Sequence, residues 1–457
     1  MIACPGCGAN LRFDIASQQM KCEYCETLYD PYEFDSMEED AEKEKLFDAW
    51  VYRCPGCGAE LLTTDKTDAT AFCPYCGGTS ILFDRLRRVK MPSWIIPFQL
   101  DKEACKRAYL KAAHRAFFTP SRYKKAELVD SFRGIYMPYW SYAVEQKGSA
   151  RVDAESSSSR DGDYLVTKQY QIVGDVDISY DGYAHDASKA FDDEISECLA
   201  PFDTELREPF TPGFLSGFYV DVADEPSRKY LDDATAYYER LTAEKLLQND
   251  EIHRAAKEQR AHTTGITGVS IPTKITRVEQ VLYPVWFMSY REGDRITYAS
   301  VNGQTGKVVA DFPISRLRFL LASLLAAALV FLAMNLFLTL KPEWSLAITS
   351  LLLIIGVVMC SRQLRKLSAR FSGSAGKTQK KGFFLTRRVS VVLTVIALLV
   401  SAVILLIDPV YNSVFYGTAV AEAVILFFLI ARTFRAQLQL ATRRPPQFKK
   451  KGGRDNA

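Results

Sequence analysis

The C-terminal third of the chain alternates between long apolar runs and short polar or basic segments. The apolar runs cover residues 319–340, 344–361, 389–407 and 413–431. An α-helix rises about 1.5 Å per residue, so runs of this length can cross the hydrocarbon core of a bilayer, which is about 30 Å thick. The pattern therefore predicts four transmembrane helices within residues 316–432, followed by a basic tail over residues 433–457.

The charges between these runs predict their orientation. Residues 362–388 carry nine basic side chains and no acidic one, and basic side chains collect on the cytoplasmic side of a membrane. We therefore expect this segment and both termini in the cytoplasm. The turns on the other side, KPE and DPVYN, are too short to form a receptor domain.

One acidic residue, Glu422, lies about midway along the fourth apolar run. An ionisable group at that depth is a functional candidate, for example in a small transporter. The alternative is a lone carboxylic acid that is hydrogen-bonded between helices. We favour this structural interpretation because the four runs contain no second charged residue.

The middle of the chain, residues 85–315, combines strand and helix patterns. Two Pro-x-Trp segments, at Pro138 and Pro284, lead into runs rich in tyrosine and β-branched residues. They predict two related strands of one sheet. The Asn302-Gly303 pair between two alternating segments predicts a hairpin.

Two further segments of the middle region have helical periodicity, residues 101–118 and residues 227–262. Residues 151–163, RVDAESSSSRDGD, are polar and predict a loop. Helices flanked by strands, without strict strand–helix alternation, indicate an α+β cytoplasmic domain.

The N-terminal region repeats a cysteine phrase, CPGCGANL at residues 4–11 and CPGCGAEL at residues 54–61. Eight of the eleven cysteines form four CxxC pairs: Cys4/Cys7, Cys22/Cys25, Cys54/Cys57 and Cys73/Cys76. The two sets have 14 and 15 residues between their pairs. Four thiolates at this spacing can close a tetrahedral shell around Zn²⁺.

The cysteine pattern therefore predicts two structural zinc ribbons, over residues 1–32 and 51–84, joined by an acidic helical linker over residues 33–50. Gly8, Gly58 and Gly77 follow three of the pairs and suit a tight turn. A shell of four thiolates leaves no position for a substrate. The rival interpretations are a redox CxxC site and a disulfide scaffold, and the missing export signal disfavours the second. The isolated Cys105, Cys198 and Cys360 are expected to be small buried residues.

Charge argues against nucleic acid as the main partner. The chain has a net charge of +3, but residues 316–457 hold 20 basic and 4 acidic residues, so the rest of the chain is acidic. Phosphate binding needs clustered Lys and Arg. The second ribbon alone has a basic edge, at Arg85, Arg87, Arg88 and Lys90.

No enzyme signature is visible. The four histidines form no HExxH motif. The segment GSAGKT at residues 373–378 imitates a phosphate-binding loop, but Phe371 stands where its first glycine belongs. The protein is therefore predicted to be non-enzymatic.

Several segments together resemble a family of bacterial membrane-anchored zinc-ribbon proteins, often described as primosomal-helicase-like or transcription-factor-IIB-type. They are the tandem ribbons, WIIPF with YMPYW, PFDTELREPFTPGFLSGFYVD, and YPVW followed by VNGQTGK. The resemblance implies a place in the bacterial inner membrane and a role beside SPFH-domain (flotillin-like) and phage-shock proteins in membrane stress. Helicase activity is not expected, because no phosphate-binding loop is present.

Three functional hypotheses follow. The first is a membrane-anchored adaptor that recruits cytoplasmic proteins to the inner membrane. The second is a membrane-tethered nucleic-acid binder, and the third is a small transporter that uses Glu422. The sequence leaves the partner and the oligomeric state open.

Overall fold

The computed structural model describes residues 2–34, 46–64, 73–78, 83–125, 130–189, 191, 193–292, 295–337, 341–370, 377–407 and 409–441. These residues form an N-terminal region with two groups of cysteines, a sheet-rich central α/β region and a set of long C-terminal helices. The chain is therefore multidomain.

The strands, in chain order, are β1 (Leu11–Asp14), β2 (Gln19–Cys22), β3 (Leu28–Tyr29), β4 (Leu46–Arg53), β5 (Glu60–Thr63), β6 (Phe83–Lys90), β7 (Trp94–Ile95), β8 (Arg133–Ser156), β9 (Ser159–Asp161), β10 (Tyr164–Val166), β11 (Gln169–Asp186), β12 (Glu208–Pro209), β13 (Tyr219–Asp221), β14 (Ala261–Ser270), β15 (Thr273–Glu292), β16 (Arg295–Asn302) and β17 (Val308–Ala310).

The helices are α1 (Lys102–Arg115), α2 (Asp193–Leu199), α3 (Leu231–Leu247), α4 (Asp250–Glu258), α5 (Arg316–Phe337), α6 (Pro342–Arg370), α7 (Lys377–Ile407) and α8 (Asn412–Ala441). Short 3-10 turns cover Pro31–Phe34, Ser121–Lys124, Thr204–Leu206, Pro212–Leu215 and Ser227–Tyr230.

The central region is built on one large sheet. Within the described residues it has 12 strands, eight of them in the order β12-β7-β15-β8-β13-β5-β4-β6, with β11 and β14 pairing with β8, and β16 joining β15 to β17. The two Pro-x-Trp segments lie in β8 and β15, which pair antiparallel with Leu282 opposite Pro138. The prediction of two related strands in one sheet is confirmed.

The Asn302-Gly303 segment does connect two antiparallel strands, β16 and β17. Gly303 is needed for a reason beyond turn geometry, since a Cβ there would lie 2.6 Å from Cδ1 of Phe98. The predicted helix over residues 101–118 is α1, which Asp101 caps by accepting a hydrogen bond from the Ala104 amide at 2.6 Å.

Two predictions for the middle region are wrong. The predicted helix over residues 227–262 is divided into α3 and α4, because the Asn249 side chain accepts hydrogen bonds from the amides of Glu251 and Ile252 and so starts a new helix. The predicted polar loop over residues 151–163 is mostly strand, with the end of β8 and the short hairpin of β9 and β10.

The predicted division at the N-terminus also changes. Most of the expected helical linker, residues 35–45, lies outside the described residues, but its last residues, 46–50, belong to strand β4. Strands β4 and β5 carry the second cysteine phrase into the large sheet, where β5 pairs with β13. The second ribbon is thus part of the central sheet and is not a separate unit.

The first ribbon packs against the same body. Its own sheet has three strands, β1-β2-β3. Leu11, Phe13 and Met20 are buried in one apolar cluster with Phe214 of the central region. The rings of Phe13 and Phe214 are 5.2 Å apart, and Ser216 Oγ donates to the Leu11 carbonyl at 2.5 Å.

The C-terminal apolar runs form helices α5 to α8. Among the described residues, two segments are long and apolar enough to cross a membrane, Pro342–Gln363 and Asn412–Arg435, by length and composition only. Val392–Ile407 is a shorter apolar helix. Residues 338–340, at the end of the first predicted span, lie outside the described residues.

The basic segment over residues 362–388 is helical where the structure describes it. Helix α6 continues to Arg370 and α7 begins at Lys377, while residues 371–376 lie outside the described residues. Lys and Arg are good helix formers, so a basic segment can prolong a helix beyond its apolar part. In the basic tail, α8 continues to Ala441, and residues 442–457 lie outside the described residues.

Candidate metal centres

The structure brings the eight predicted cysteines together in two groups of four. In each group the four Sγ atoms lie within 4.8 Å of one another. The first group is Cys4, Cys7, Cys22 and Cys25, and the second is Cys54, Cys57, Cys73 and Cys76. The sequence-predicted partners are therefore the observed ones.

The sulfur–sulfur distances fit a tetrahedral metal. Cys7 Sγ is 3.4 Å from Cys22 Sγ and 3.6 Å from Cys25 Sγ, and Cys57 Sγ is 3.8 Å from Cys73 Sγ. A disulfide needs about 2.05 Å between its sulfurs. A tetrahedron with metal–sulfur bonds of about 2.3 Å has edges of about 3.8 Å. The donor set and its size therefore suit a metal ion.

Four thiols at this distance cannot all ionise without a cation between them. The Tyr29 hydroxyl lies 3.4 Å from Cys4 Sγ and lowers the pKa of the Cys4 thiol to about 6. For Cys7, a backbone hydrogen bond from Ala9 lowers the pKa, but the sulfurs around it, with Cys22 first, raise it overall to about 12. A metal ion would supply the missing positive charge.

All four CxxC turns share one backbone pattern. The amide four residues after the first cysteine donates back to that cysteine's carbonyl, as Gly8 does to Cys4 at 2.8 Å and Gly77 to Cys73 at 2.9 Å. This residue has positive φ at Gly8 (76°), Gly58 (81°) and Gly77 (63°). The fourth turn has Glu26 there, with φ 57°.

The two groups differ in burial. All four cysteines of the second group are buried, whereas Cys7 and Cys25 of the first group are exposed. The difference is larger for the tyrosine that precedes the last cysteine of each group. Tyr24 is 82% exposed and Tyr75 is 1% exposed. The repeated phrase therefore serves two different environments.

Tyr75 is buried because the central sheet covers it. Its ring lies 5.5 Å from that of Phe287, and its carbonyl accepts a hydrogen bond from the Tyr298 hydroxyl at 2.8 Å. The buried Asp221 lies close enough to raise the pKa of Tyr75, second to the effect of burial itself. The second group is thus an integral part of the core.

Tyr24 lies on an acidic surface. Its neighbour Glu23 pairs with Arg12 at 2.8 Å, and both side chains of that pair are half exposed. Glu26 and Asp30 follow in sequence. The exposed Tyr24 with these carboxylates, Glu23, Glu26 and Asp30, is referred to below as the first-ribbon face.

The basic edge of the second ribbon is partly neutralised. It lies on β6, where Arg85 contacts Glu60 at 3.9 Å and Arg88 contacts Asp48 at 3.6 Å. Both arginines are exposed, so these pairs contribute little to stability. They do reduce the positive charge that a phosphate backbone would meet.

Glu422 lies in the helical region, 1% exposed, between three helices. Its Oε1 accepts hydrogen bonds from Ser350 of α6 at 2.8 Å and from Ser401 of α7 at 2.7 Å. Its Oε2 has no hydrogen-bond partner within the described part of the chain. This geometry fits the structural interpretation, a carboxyl group that links α6, α7 and α8.

The isolated cysteines are not all buried. Cys105, a residue of α1, is buried in the core as expected, but Cys198 is exposed and Cys360 is intermediate. Sequence reasoning also missed Glu26 in its positive-φ position and the contrast between Tyr24 and Tyr75. The exposed turn reads CEYC and the buried turn reads CPYC. The proline is the one difference between them, and it is only a weak signal of burial.

No protein-family model matches the chain, and no solved structure matches it. Among curated proteins, the chain is similar to the "Uncharacterized protein YdjG" of Bacillus subtilis (strain 168). The two are 29% identical over 336 residues, which cover 68% of this chain and 90% of that protein. The similarity extends over most of the relative and supplies no function.

Proposed function

We propose that the protein is a non-enzymatic adaptor of the bacterial inner membrane. Its two cysteine groups hold structural zinc, its C-terminal helices form four spans with both termini in the cytoplasm, and its first-ribbon face binds a cytoplasmic protein. The observation that carries the proposal is the contrast between Tyr24, 82% exposed, and Tyr75, 1% exposed, in equivalent turns.

This contrast supports a binding role for the first ribbon. Both turns close a four-thiolate shell, which leaves no coordination position for a substrate. The second turn uses its tyrosine to fill the core, so the first turn does not need an exposed tyrosine for metal binding. Tyrosine is enriched at protein interfaces, where its ring is covered and its hydroxyl finds a partner.

The chemistry of the first-ribbon face indicates the kind of partner. Glu23, Glu26 and Asp30 are exposed and lie near Tyr24 in the sequence. Zn²⁺ with four thiolates adds a formal charge of −2. A basic protein surface is therefore the complementary partner, and salt would weaken its association. An SPFH-domain or phage-shock protein, which the family resemblance implies, is the first candidate to examine.

The two alternatives have less support. A membrane-tethered nucleic-acid binder would need clustered free cations, whereas Arg85 and Arg88 lie beside carboxylates. A transporter using Glu422 would need a coupled second group, whereas the side chain is hydrogen-bonded to two serines.

Site-specific photo-crosslinking in intact cells tests the adaptor proposal. A benzophenone amino acid replaces Tyr24 in one variant and Tyr164 in another. Tyr164 is a matched control, because it is 78% exposed on the β9–β10 hairpin, away from the ribbons. We expect a discrete protein adduct from position 24 that the second substitution Glu23→Lys weakens. An adduct that nuclease removes, or no adduct from position 24, would contradict the proposal.

A further inference from the structure

Residues 114–125, HRAFFTPSRYKK, form a segment of the central region that contacts the start of the first C-terminal helix. The segment begins at the end of α1 and continues through the 3-10 turn Ser121–Lys124. It carries Arg115, Arg122, Lys124 and Lys125 and no acidic residue. It is called the interfacial segment below.

The interfacial segment is fixed to the start of α5. The Ser315 amide donates to the Phe118 carbonyl at 2.8 Å. The Arg318 guanidinium donates to the Thr119 carbonyl at 2.7 Å and to the Ser121 hydroxyl. These bonds place the segment where the apolar run of α5 begins.

A row of aromatic rings continues from the segment into the helices. The ring of Phe117 lies 5.2 Å from that of Phe118, which lies 5.4 Å from Phe319, and Phe319 lies 5.0 Å from Phe434 of α8. Three of these rings pack between elements. The fourth, Phe117, is 73% exposed at the outer end of the row.

The surface around this row is basic. Arg115, Arg122 and Lys125 of the interfacial segment are exposed, and so are Arg432 and Arg435 of α8, on either side of Phe434. An exposed aromatic ring among cations, level with the first residues of an apolar helix, is the composition that binds the headgroup region of a membrane. Anionic headgroups attract juxtamembrane Lys and Arg.

We propose that the interfacial segment binds the anionic lipid surface of the bilayer in which the C-terminal helices lie, with Phe117 inserted among the headgroups. The inference rests on the proposed membrane anchoring. Its consequence is that the central region and the first-ribbon face are held at a fixed distance from the membrane and do not swing freely about residue 315.

Hydrogen exchange of the full-length protein tests this binding. The protein is placed in lipid discs of phosphatidylcholine alone, or of phosphatidylcholine and phosphatidylglycerol in equal parts. We expect amides of residues 114–125 to exchange more slowly in the anionic discs. The double variant Lys124→Glu/Lys125→Glu should reduce that slowing by at least about fivefold for each lysine, since each basic residue near an anionic surface contributes about 1 kcal/mol and the new carboxylate is repelled.

Two further variants make the result specific. Arg254→Glu/Lys257→Glu reverses the same number of charges on the exposed side of α4 and should leave the lipid effect unchanged. Phe117→Ser alters a side chain that is 73% exposed and should also reduce the slowing. This variant keeps the test decisive if the double variant fails to fold.

The outcomes separate this inference from the proposed function. Equal exchange in both lipids, with the protein resisting extraction from membranes at alkaline pH, would overturn the interfacial contact and leave the anchoring proposal intact. Extraction of the wild-type protein by alkali would overturn the anchoring itself. Slowing that appears only when a soluble acidic protein is added would assign the segment to a protein partner and also overturn the inference.

Discussion

Glu26 is the one residue of the four CxxC turns that occupies its position at a steric cost. The equivalent positions hold Gly8, Gly58 and Gly77, all with positive φ. A side chain in this region brings Cβ close to a carbonyl oxygen, at a cost of about 1 to 2 kcal/mol. The carboxylate of Glu26 is exposed at this position, on the first-ribbon face.

Replacing Glu26 by glycine should therefore stabilise the first ribbon. Relief of the positive φ exceeds the larger entropy that glycine loses on folding, so we expect a gain of up to ~1 kcal/mol in local stability. Hydrogen exchange of strands β1 and β2 measures it. The reciprocal variant Gly8→Ala, where no atom lies within 4 Å of the new Cβ, should lose a similar amount, and equal exchange in all three proteins would refute the argument.

The candidate metal ligands could be predicted from the sequence because metal ligation depends on the local spacing of cysteines. Four CxxC pairs can be read from the chain, and the fold places the same eight sulfurs in two groups. The exposure of Tyr24 and the burial of Tyr75 could not be read in this way. They depend on whether Phe287 and Tyr298, more than 200 residues away, cover the turn.

Elements with long apolar runs were predicted from the sequence, and polar or fully exposed elements were missed. The polar end of β8 was among those missed, although Val152 and Ala154 are buried there. Strands β8 and β15 each contain a run rich in apolar residues and tyrosine, and their Pro-x-Trp segments mark them as a pair. The hairpin of β9 and β10 is exposed on every residue, so its sequence lacks the alternation that reveals a strand. The division between α3 and α4 was also missed. A single capping side chain, Asn249, causes it, and the pattern of charged residues continues across it.

The short strand β13 joins the second cysteine group to the long strand β8. It pairs antiparallel with β5 on one side and parallel with β8 on the other. Its last residue, Asp221, is buried, and its carboxylate accepts a hydrogen bond from Ser188. Burial raises the pKa of Asp221 to about 7.

Asp221 should make this junction less stable as pH rises. A carboxyl whose pKa is about 7 when folded and about 3.9 when unfolded stabilises the fold fully only below the unfolded value, and that contribution is lost as pH rises through 7. We expect Asp221→Asn to remove this loss, so that its melting temperature in detergent exceeds the wild-type value increasingly from pH 5 to pH 7, within the window set by the two pKa values, and by a nearly constant amount above it.

The comparison with the wild type controls for other titrating groups, including the cysteines, because these are present in both proteins. The conservative variant Asp14→Asn serves as a second control. Hydrogen bonds from Ser17 lower the pKa of Asp14, so its stabilising contribution is already complete above the usual carboxyl range, and Asp14→Asn should lower the melting temperature by a constant amount from pH 5 to pH 7. A constant difference between Asp221→Asn and wild type across the pH range would contradict the argument.

At the scale of the whole molecule, the ribbons and the central sheet form one packed body. Phe13 and Leu11 of the first ribbon share an apolar cluster with Phe214, and β4 and β5 belong to the large sheet. The sequence suggested separate modules because the cysteine repeat is so regular. Docking depends on apolar contacts between distant segments, which no local pattern records.

This integration changes how the metal sites are best tested. Deletion of residues 1–80 would remove β4 and β5 and expose the central core, so a lost interaction would not identify the first ribbon. Substitution of single cysteines keeps the chain intact. Cys7 is exposed and Cys57 is 3% exposed, which makes them a matched pair of ligands in different surroundings.

We expect Cys57→Ser to destabilise the whole central region and Cys7→Ser to loosen mainly residues 2–29. The sulfur of Cys57 is buried with Tyr52, Tyr75 and Met137 in one cluster, so loss of its metal would leave buried thiols without a cation and disturb the sheet. A loss of about 3 kcal/mol would lower the melting temperature by on the order of 10 °C.

Metal analysis and hydrogen exchange measure both effects on purified full-length protein. Wild type should hold two metal ions per chain, and each variant should lose one. Cys198→Ser, at an exposed cysteine outside both groups, should change neither the metal content nor the exchange. The opposite result would be faster exchange only near its own turn for Cys57→Ser and across the large sheet for Cys7→Ser. In that case the first cysteine group, whose ribbon carries the exposed Tyr24, would be the one on which the fold of the central region depends.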